Sequence, residues 1–220
     1  HTHTINDNDT QPTVQYAAAT SSDLESVTPQ LVAVTLSNPS TQQVTVNYSV
    51  TGGTATAAGT DFTLAAGTLT FAAGITTQDI SIAITNDNLF EGAETIGLTL
   101  ATPANGTLGE QTTHTHTIND DETAPTVQYA AATSNDGEAT TPHLITVTLS
   151  GAVQGSAKVD YAVSGGTASG AGTDYTLASG TLTFASGTTT LDISIPVVND
   201  AITEGAEAII LNITNPVIAT

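Results

Sequence analysis

The chain contains no cysteine, methionine or tryptophan, and Lys158 is its only basic residue. The absence of cysteine excludes disulfide bonds, thiolate metal sites and cysteine nucleophiles. Against 21 acidic residues, the single lysine leaves a formal net charge of -20. We therefore predict no nucleic-acid partner, because phosphate binding needs clustered lysine and arginine. No apolar run has transmembrane length, so we also predict no direct membrane insertion.

We do not expect an enzyme. Aromatic residues make up only 4% of the chain, and no arrangement of Ser, His and Asp recurs that would be typical of nucleophilic catalysis. The apolar fraction of 39% favours a folded protein over a disordered acidic one. Bound cations would offset the self-repulsion of so much negative charge.

The sequence consists of two copies of one unit. From His1 to Thr107, the residue 113 positions further on is identical at about three in five positions, and no gap is needed. Units of this length can enclose a hydrophobic core without disulfide or zinc staples. We predict a closing strand of a preceding repeat at 1–9, a first repeat at 10–122, and a second repeat at 123–220 that lacks its final strand.

Alternation of apolar and polar residues predicts strands with one buried face. Val44, Val46, Tyr48 and Val50 share one face of such a segment, and turn residues separate it from the next. Seven short strands with turn signals between them are typical of a β-sandwich, and no segment has helical periodicity. In the first repeat we predict strands near 13–17, 31–37, 44–50, 68–71, 77–85, 95–101 and 112–118.

Acidic residues recur in register at loops in both copies. In an antiparallel sandwich alternate loops emerge at the same end, so carboxylates far apart in sequence can converge. Calcium takes six to eight oxygen ligands in a tolerant geometry, whereas zinc and copper would require nearby His or Cys. The competing interpretation is that Asp, Asn and Glu collect in turns because they cap backbone amides.

The order GTATAAGTDF, GTLTFAAG, ISIAITNDNLFEGAET and a closing strand ending in INDDE resembles the Calx-beta domain of sodium–calcium exchangers and large bacterial surface proteins. The second copy has GTASGAGTDY, GTLTFASG and ISIPVVNDAITEGAEA. The resemblance implies two tandem seven-stranded antiparallel Greek-key β-sandwiches, immunoglobulin-like, with no significant helix. It also implies that calcium binds at one end of each sandwich.

The resemblance implies a set of Ca2+ ligands in each copy. In the first copy they are Glu25, Asp61, Asp87, Glu91, Glu94, Asp120 and Asp121, with Glu122 beside them. In the second copy they are Glu138, Asp174, Asp200, Glu204 and Glu207, and its closing acids lie outside the sequence. Exchanger-type modules carry a run of aspartates where this chain has Asn86-Asp87-Asn88, which indicates fewer or weaker ions per domain.

The histidines of the repeated HTHTIND segment depart from the family pattern. His114 and His116, like His1 and His3, lie two apart on a predicted strand and share the parity of Ile118. A regular strand would bury them as neutral side chains, whereas a bulge would turn them outward. A packing or surface role is favoured over a metal site, since only two nitrogens are supplied locally.

The expected function is a calcium-stiffened spacer in a large bacterial adhesin, located outside the cell or on its surface. Its partners would be neighbouring repeats and, by strand exchange through residues 1–9, another copy of the chain. Two alternatives remain open at this point. One is a regulatory calcium sensor, and the other is an adhesion module that itself binds a glycan or protein.

Overall fold

A computed structural model describes residues 1–4, 6 and 8–219 of the chain. These residues divide into two units. Unit 1 comprises His1–Asp87 and Gly92–Asp121, and unit 2 comprises Asn88–Glu91 and Glu122–Thr220. Within the predicted closing strand 1–9, residues 1–4 are exposed and have no strand assignment, while Ile5 and Asp7 lie outside the described residues. The boundaries 10–122 and 123–220 stay predictions.

Strands account for all of the regular secondary structure in the described residues. The first nine are β1 Thr13–Tyr16, β2 Thr20–Leu24, β3 Gln30–Leu36, β4 Val44–Gly53, β5 Phe62–Thr63, β6 Gly67–Phe71, β7 Thr77–Ile84, β8 Leu89–Phe90 and β9 Glu94–Ala104. The others are β10 Thr107–Leu108, β11 Thr113–Asn119, β12 Val127–Tyr129, β13 His143–Leu149, β14 Ala152–Val153, β15 Ser156–Gly166, β16 Gly180–Phe184, β17 Thr190–Ile195 and β18 Ile209–Ala219. Across the described ranges no helix has the length and hydropathy needed to span a membrane.

Unit 1 consists of two five-stranded sheets, in the orders β10-β1-β3-β7-β5 and β2-β11-β9-β4-β6. Val34 and Ile82 from the first sheet and Val46 and Leu98 from the second are fully buried in one core. Alternate residues of each strand point into this core, as the sequence periodicity predicts. The sheets therefore face each other across the core, and the predicted all-β sandwich is confirmed.

The described residues of unit 1 contain more strands than the seven predicted, and two of the strand pairs are parallel. The seven predicted strands correspond to β1, β3, β4, β6, β7, β9 and β11. The described residues add β2, β5 and β10, and β2 pairs in parallel with β11 while β1 pairs in parallel with β10. β2 was missed because its residues are mostly exposed, so it has no apolar alternation to reveal it.

Unit 2 has a smaller set of strands. Its described residues form two three-stranded sheets, β12-β13-β17 and β16-β15-β18, and a two-stranded sheet of β14 with β8. Val147, Val159, Phe184 and Ile193 form the most deeply buried part of its core. The β16-β15-β18 sheet contains the counterparts of β6, β4 and β9, but no counterpart of β2 or β11 among the described residues.

A glycine at the end of β4 brings this strand against the start of β9. Gly53 has a φ of 118°, and a Cβ there would lie 2.1 Å from the carbonyl oxygen of Thr95. The N–H of Ala55 donates to the same oxygen at 3.0 Å. This close approach places the 54–61 loop beside Glu94, and Gly166 repeats the arrangement in unit 2.

We expect Gly53→Ala to destabilise unit 1 by roughly 1–3 kcal/mol, because the positive φ and the fixed backbone oxygen both oppose a side chain. The matched control is Gly52→Ala, since no atom lies within 4 Å of a Cβ at Gly52. Urea unfolding of the two variants measures the difference. Equal stabilities would contradict the role assigned to Gly53.

Candidate metal centre

Carboxylates from separate loops come together in two groups in the first copy. In each group, one oxygen from each of three residues lies within 4.8 Å of the other two. The Glu25 group comprises Glu25, Asp121 and Glu122, and the Asp61 group comprises Asp61, Glu91 and Glu94. The structure thus gathers most of the acidic residues singled out in this copy.

Backbone hydrogen bonds hold Asp61 in place. Its side chain is 5% exposed, and its Oδ2 accepts the N–H of Thr56. The N–H of Asp61 donates to the Thr56 carbonyl at 3.1 Å, and its own carbonyl accepts the N–H of Thr85 at 2.9 Å. The loop turns through left-handed conformations at Ala58 and Gly59, with φ of 69° and 91°. The carboxylate is therefore positioned by the loop itself.

Glu25 is placed by the parallel pairing of β2 with β11. It follows β2 directly, and its N–H donates to the carbonyl of Asn119, the last residue of β11, at 2.9 Å. The side chain is 3% exposed, and its Oε1 accepts the N–H of Asp87 at 3.4 Å. The pairing therefore brings Glu25 beside the acidic residues that follow β11.

Asp87 and Asp120 belong to neither group. Both side chains are half-buried. The backbone N–H of Asp87 donates to the Glu25 carboxylate. Asp87 therefore helps to position Glu25 through its main chain, whatever its own side chain contacts. Their assignment as ligands stays a prediction.

The second copy repeats the loop that carries Asp61. Oδ2 of Asp174 accepts the N–H of Ser169. The N–H of Asp174 donates to the Ser169 carbonyl at 2.9 Å, and its carbonyl accepts the N–H of Val198 at 2.8 Å. Here the aspartate is half-buried and Glu138, the counterpart of Glu25, is exposed.

The five predicted ligands of the second copy interact electrostatically. The pKa of Glu207 is raised by a hydrogen bond to Asp174, then by desolvation and the negative charges of Asp174, Glu204 and Glu138. The pKa of Glu204 is raised by desolvation, then by the charges of Asp174, Asp200 and Glu138. Two carboxyl groups can share a hydrogen bond only if one holds a proton. A cation would remove the same repulsion without that proton.

The donor set fits calcium. All ligand atoms in the two groups of the first copy are carboxylate oxygens, which hard divalent cations prefer. Glu25 and Asp61 are almost fully buried, and burying carboxylates side by side is unfavourable unless positive charge compensates them. Three carboxylates per group leave coordination positions for carbonyl oxygens or water, which suits the six to eight ligands of Ca2+.

The Calx-beta domain model matches the chain twice, over residues 7–122 and 120–220. The chain belongs to the Calx-beta family. The resemblance predicted from the motifs is therefore confirmed for both copies, and the family is one of calcium-binding, non-catalytic domains. Among curated protein sequences, none matches this chain.

Several solved structures are similar to this Calx-beta chain. A crystal structure of CBD12 from CALX1.2 is 24% identical, with a TM-score of 0.47, and the match covers 92% of this chain and 80% of that one. The calcium binding domain CBD12 of CALX1.1 is 23% identical, with a TM-score of 0.48 and coverage of 94% and 82%. The apo form of the Calx CBD1 domain is 27% identical, with a TM-score of 0.47 and coverage of 51% and 99%.

The histidines of β11 are buried. His114 and His116 are 4% and 1% exposed, and β11 pairs with β9 residue by residue from Thr113 to Ile118. No bulge turns them outward, so the first of the two predicted alternatives is correct for this copy. His1 and His3 are exposed.

One serine links the two buried rings. Ser21 Oγ lies 2.8 Å from Nε2 of His114 and 2.7 Å from Nδ1 of His116. Nδ1 of His114 lies 2.8 Å from the carbonyl oxygen of Ala18, so this nitrogen carries a hydrogen. Neutral His114 then accepts from the serine hydroxyl at Nε2, and His116 donates from Nδ1 to the serine oxygen. Nε2 of His116 is left as a buried acceptor without a partner among the described residues.

Sequence reasoning missed Ser21 and Gln30. Ser21 lies in β2, the strand without a periodic signal. Gln30 is 1% exposed, and its Nε2 donates to the carbonyl of Leu24, directly before Glu25, at 3.0 Å. Its parity with Val32 and Val34 on β3 was the available signal, because a polar residue at an inward position needs a polar partner.

The pKa of His116 is lowered by burial and by the nearby His114, against an opposing effect of Asp23. The folded chain therefore binds fewer protons than the unfolded chain below the ordinary histidine pKa of about 6.5. We expect His116 to lower the stability of unit 1 as the pH falls from about 6.5. The stability difference between the native chain and His116→Gln, measured by urea unfolding, should shrink between pH 7 and 5. As a control, His143→Gln in unit 2 should leave the pH dependence of unit 1 stability unchanged. A pKa of His116 at or above about 6.5, measured by NMR titration, would contradict the assignment.

The raised pKa values of Glu204 and Glu207 generate a second prediction. Because the folded state holds these protons more tightly than the unfolded state, calcium-free unit 2 should gain stability as the pH falls through their raised folded pKa values, and the gain should be complete below the ordinary glutamate pKa of about 4.3. Glu207→Gln should raise its melting temperature in chelator at pH 7 and reduce its gain from calcium. Differential scanning calorimetry measures both, with Glu110→Gln as the control because Glu110 is exposed and outside both groups. A variant with a lower melting temperature in chelator and the full calcium gain would contradict the prediction.

Proposed function

We propose that this Calx-beta chain is a calcium-binding spacer segment of a large extracellular bacterial adhesin. Each repeat adds length to the protein, and calcium bound to the acidic loops stiffens it. The convergence of three carboxylate oxygens within 4.8 Å in each of two groups carries the proposal. The recurrence of the acidic loops in both copies supports a length-extending role.

The acidic loops would be mutually repulsive without a cation. The Glu25 group joins the end of β2 to the segment after β11, and the Asp61 group joins the 54–61 loop to the start of β9. Calcium supplies positive charge that these carboxylates share when it is bound. In each group one carboxylate accepts a backbone N–H: Glu25 from Asp87 and Asp61 from Thr56.

The similarity of the two copies favours a spacer over a sensor. Asp61 and Asp174 have the same pattern of backbone hydrogen bonds, so the copies repeat one local design. A sensor generally needs sites with distinct affinities. A location outside the cell requires no cysteine, and the chain has none. The net charge of -20 is compatible with calcium binding there.

Thermal unfolding with calcium, with magnesium and with chelator tests the proposal. When the free calcium concentration is a thousand times the dissociation constant of a site, the ion bound there stabilises the folded state by about 4 kcal/mol. For a domain of this size that is a rise in melting temperature of roughly 10 °C or more. No rise with calcium, or an equal rise with magnesium, would contradict the proposal.

Paired variants locate the ions. Asp121→Asn should remove much of the calcium-induced rise through the Glu25 group, and its matched control is Asp79→Asn on the exposed face of β7. Glu94→Gln should do the same through the Asp61 group, with Glu110→Gln as its control. Calcium-dependent stiffness without a large change in dimensions, measured by small-angle X-ray scattering, supports the spacer. A large compaction would instead favour the sensor.

A further inference from the structure

A buried glutamine lies at the start of β3, on the face that otherwise supplies aliphatic side chains to the core of unit 1. Gln30 is 1% exposed, and the next two inward residues of the strand, Val32 and Val34, are 2% and 0% exposed. Its partner on β7 is Ile82, which is also buried. A primary amide in such surroundings is unfavourable unless its polar atoms are hydrogen-bonded.

Only the donor side of this amide is satisfied. Nε2 of Gln30 donates to the carbonyl of Leu24 at 3.0 Å, whereas Oε1 is buried and accepts no hydrogen bond from the described residues. An apolar side chain of similar size would avoid that unpaired oxygen. The stability of the core therefore does not explain a glutamine at this position, and its contact with Leu24 is what an apolar residue could not supply.

The Leu24 carbonyl begins the turn that presents Glu25. The same oxygen accepts the N–H of Val27 at 3.0 Å, so Glu25 and Ser26 are the two central residues of a four-residue turn. A carbonyl oxygen has two lone pairs, and here the turn uses one and Gln30 uses the other. The side chain of Gln30 therefore supports the turn from within the core.

Gln30 also joins the two sheets at this end of unit 1. β3 belongs to the sheet β10-β1-β3-β7-β5, whereas Leu24 ends β2 in the sheet β2-β11-β9-β4-β6. The next residue, Glu25, donates its N–H to the carbonyl of Asn119 at the end of β11, at 2.9 Å. The turn that contains Glu25 is thus anchored to both sheets.

The second copy makes the same two contacts with a different side chain. The counterparts of Leu24, Val27 and Gln30, 113 positions further on, are Gly137, Thr140 and His143. The N–H of Thr140 donates to the Gly137 carbonyl at 2.9 Å, and Nε2 of His143 lies 3.3 Å from the same oxygen. An amide and an imidazole both offer an N–H donor, so the donor is what the two copies have in common.

We propose that Gln30 is a positioning residue for calcium binding in unit 1. Its amide fixes the turn at Leu24, and the turn holds Glu25 in the position from which its carboxylate binds calcium, while Gln30 itself is not a ligand. The inference rests on the proposed calcium binding of the Glu25 group, but the ordering of the turn is a property of the calcium-free chain. Removing a group that orients a metal ligand typically lowers metal affinity by roughly 10- to 100-fold.

Gln30→Leu tests this role, because leucine fills the inward position and donates no hydrogen bond. A calcium titration of the full chain is followed by NMR through the backbone amides of Glu25 and Asp87. We expect the apparent affinity there to fall about tenfold, while the free energy of unfolding in chelator, measured with urea, stays equal or rises. Lower stability with unchanged affinity is the result of a merely structural role and would overturn the proposal.

Two further variants are matched to this one. Gln42→Leu makes the same substitution at an exposed position between β3 and β4, and it should leave the calcium affinity of the Glu25 group unchanged. Gln30→His introduces the side chain of the second copy. At about pH 8, where an ordinary imidazole is neutral, its N–H should restore most of the affinity lost in Gln30→Leu. Equally low affinities of these two variants would overturn the assignment of the amide donor.

Hydrogen exchange in chelator separates this inference from the proposed function. The N–H of Val27 closes the turn, so Gln30→Leu should speed its exchange several-fold in the calcium-free chain, whereas Gln42→Leu should not. Unchanged exchange of Val27 in Gln30→Leu would overturn the positioning role whether or not the chain binds calcium. A native chain without a calcium-induced change at Glu25 and Asp87 would instead overturn the proposed function, and the calcium role of Gln30 with it.

Discussion

Repulsion among carboxylates is the constraint on which the rest of the structure depends. A chain with one lysine and 21 acidic residues has almost no internal cation with which to neutralise them. Glu25 and Asp61 are nevertheless buried, beside further carboxylates. The sandwich provides the rigid support on which such an arrangement can form, because its strands fix the loops and the loops fix the acidic side chains through backbone hydrogen bonds.

The two copies show that the same local sequence gives different environments. Asp61 and Asp174 occupy loops with the same hydrogen bonds, yet one is buried and the other half-buried. The larger difference is between Glu25, which is 3% exposed and lies beside β11, and Glu138, which is exposed. In the first copy the position of Glu25 therefore depends on a strand distant in sequence, because Glu25 directly follows β2, which pairs with β11.

Much of the fold could be predicted from periodicity. Alternating residues such as Val44, Val46 and Tyr48 identified the strands with one buried face. For His114 and His116, strand parity left two alternatives, burial or a bulge that turns them outward, and the structure shows burial. β2 could not be predicted, since an exposed strand has no apolar alternation. The division of the acids into a Glu25 group and an Asp61 group was also beyond the sequence, because it depends on which loops the sheet pairing brings together.

The sequence by itself determined the class of the protein: two tandem Calx-beta repeats, all-β, strongly acidic, with carboxylates at recurring loop positions. These properties follow from residue type and spacing, which local physics converts into strands and turns. Only the tertiary structure decided which carboxylates meet, which are shielded from water, and that Ser21 joins two buried histidines. Those outcomes depend on the parallel pairing of β2 with β11, a contact between segments more than 90 positions apart, and no local pattern encodes it.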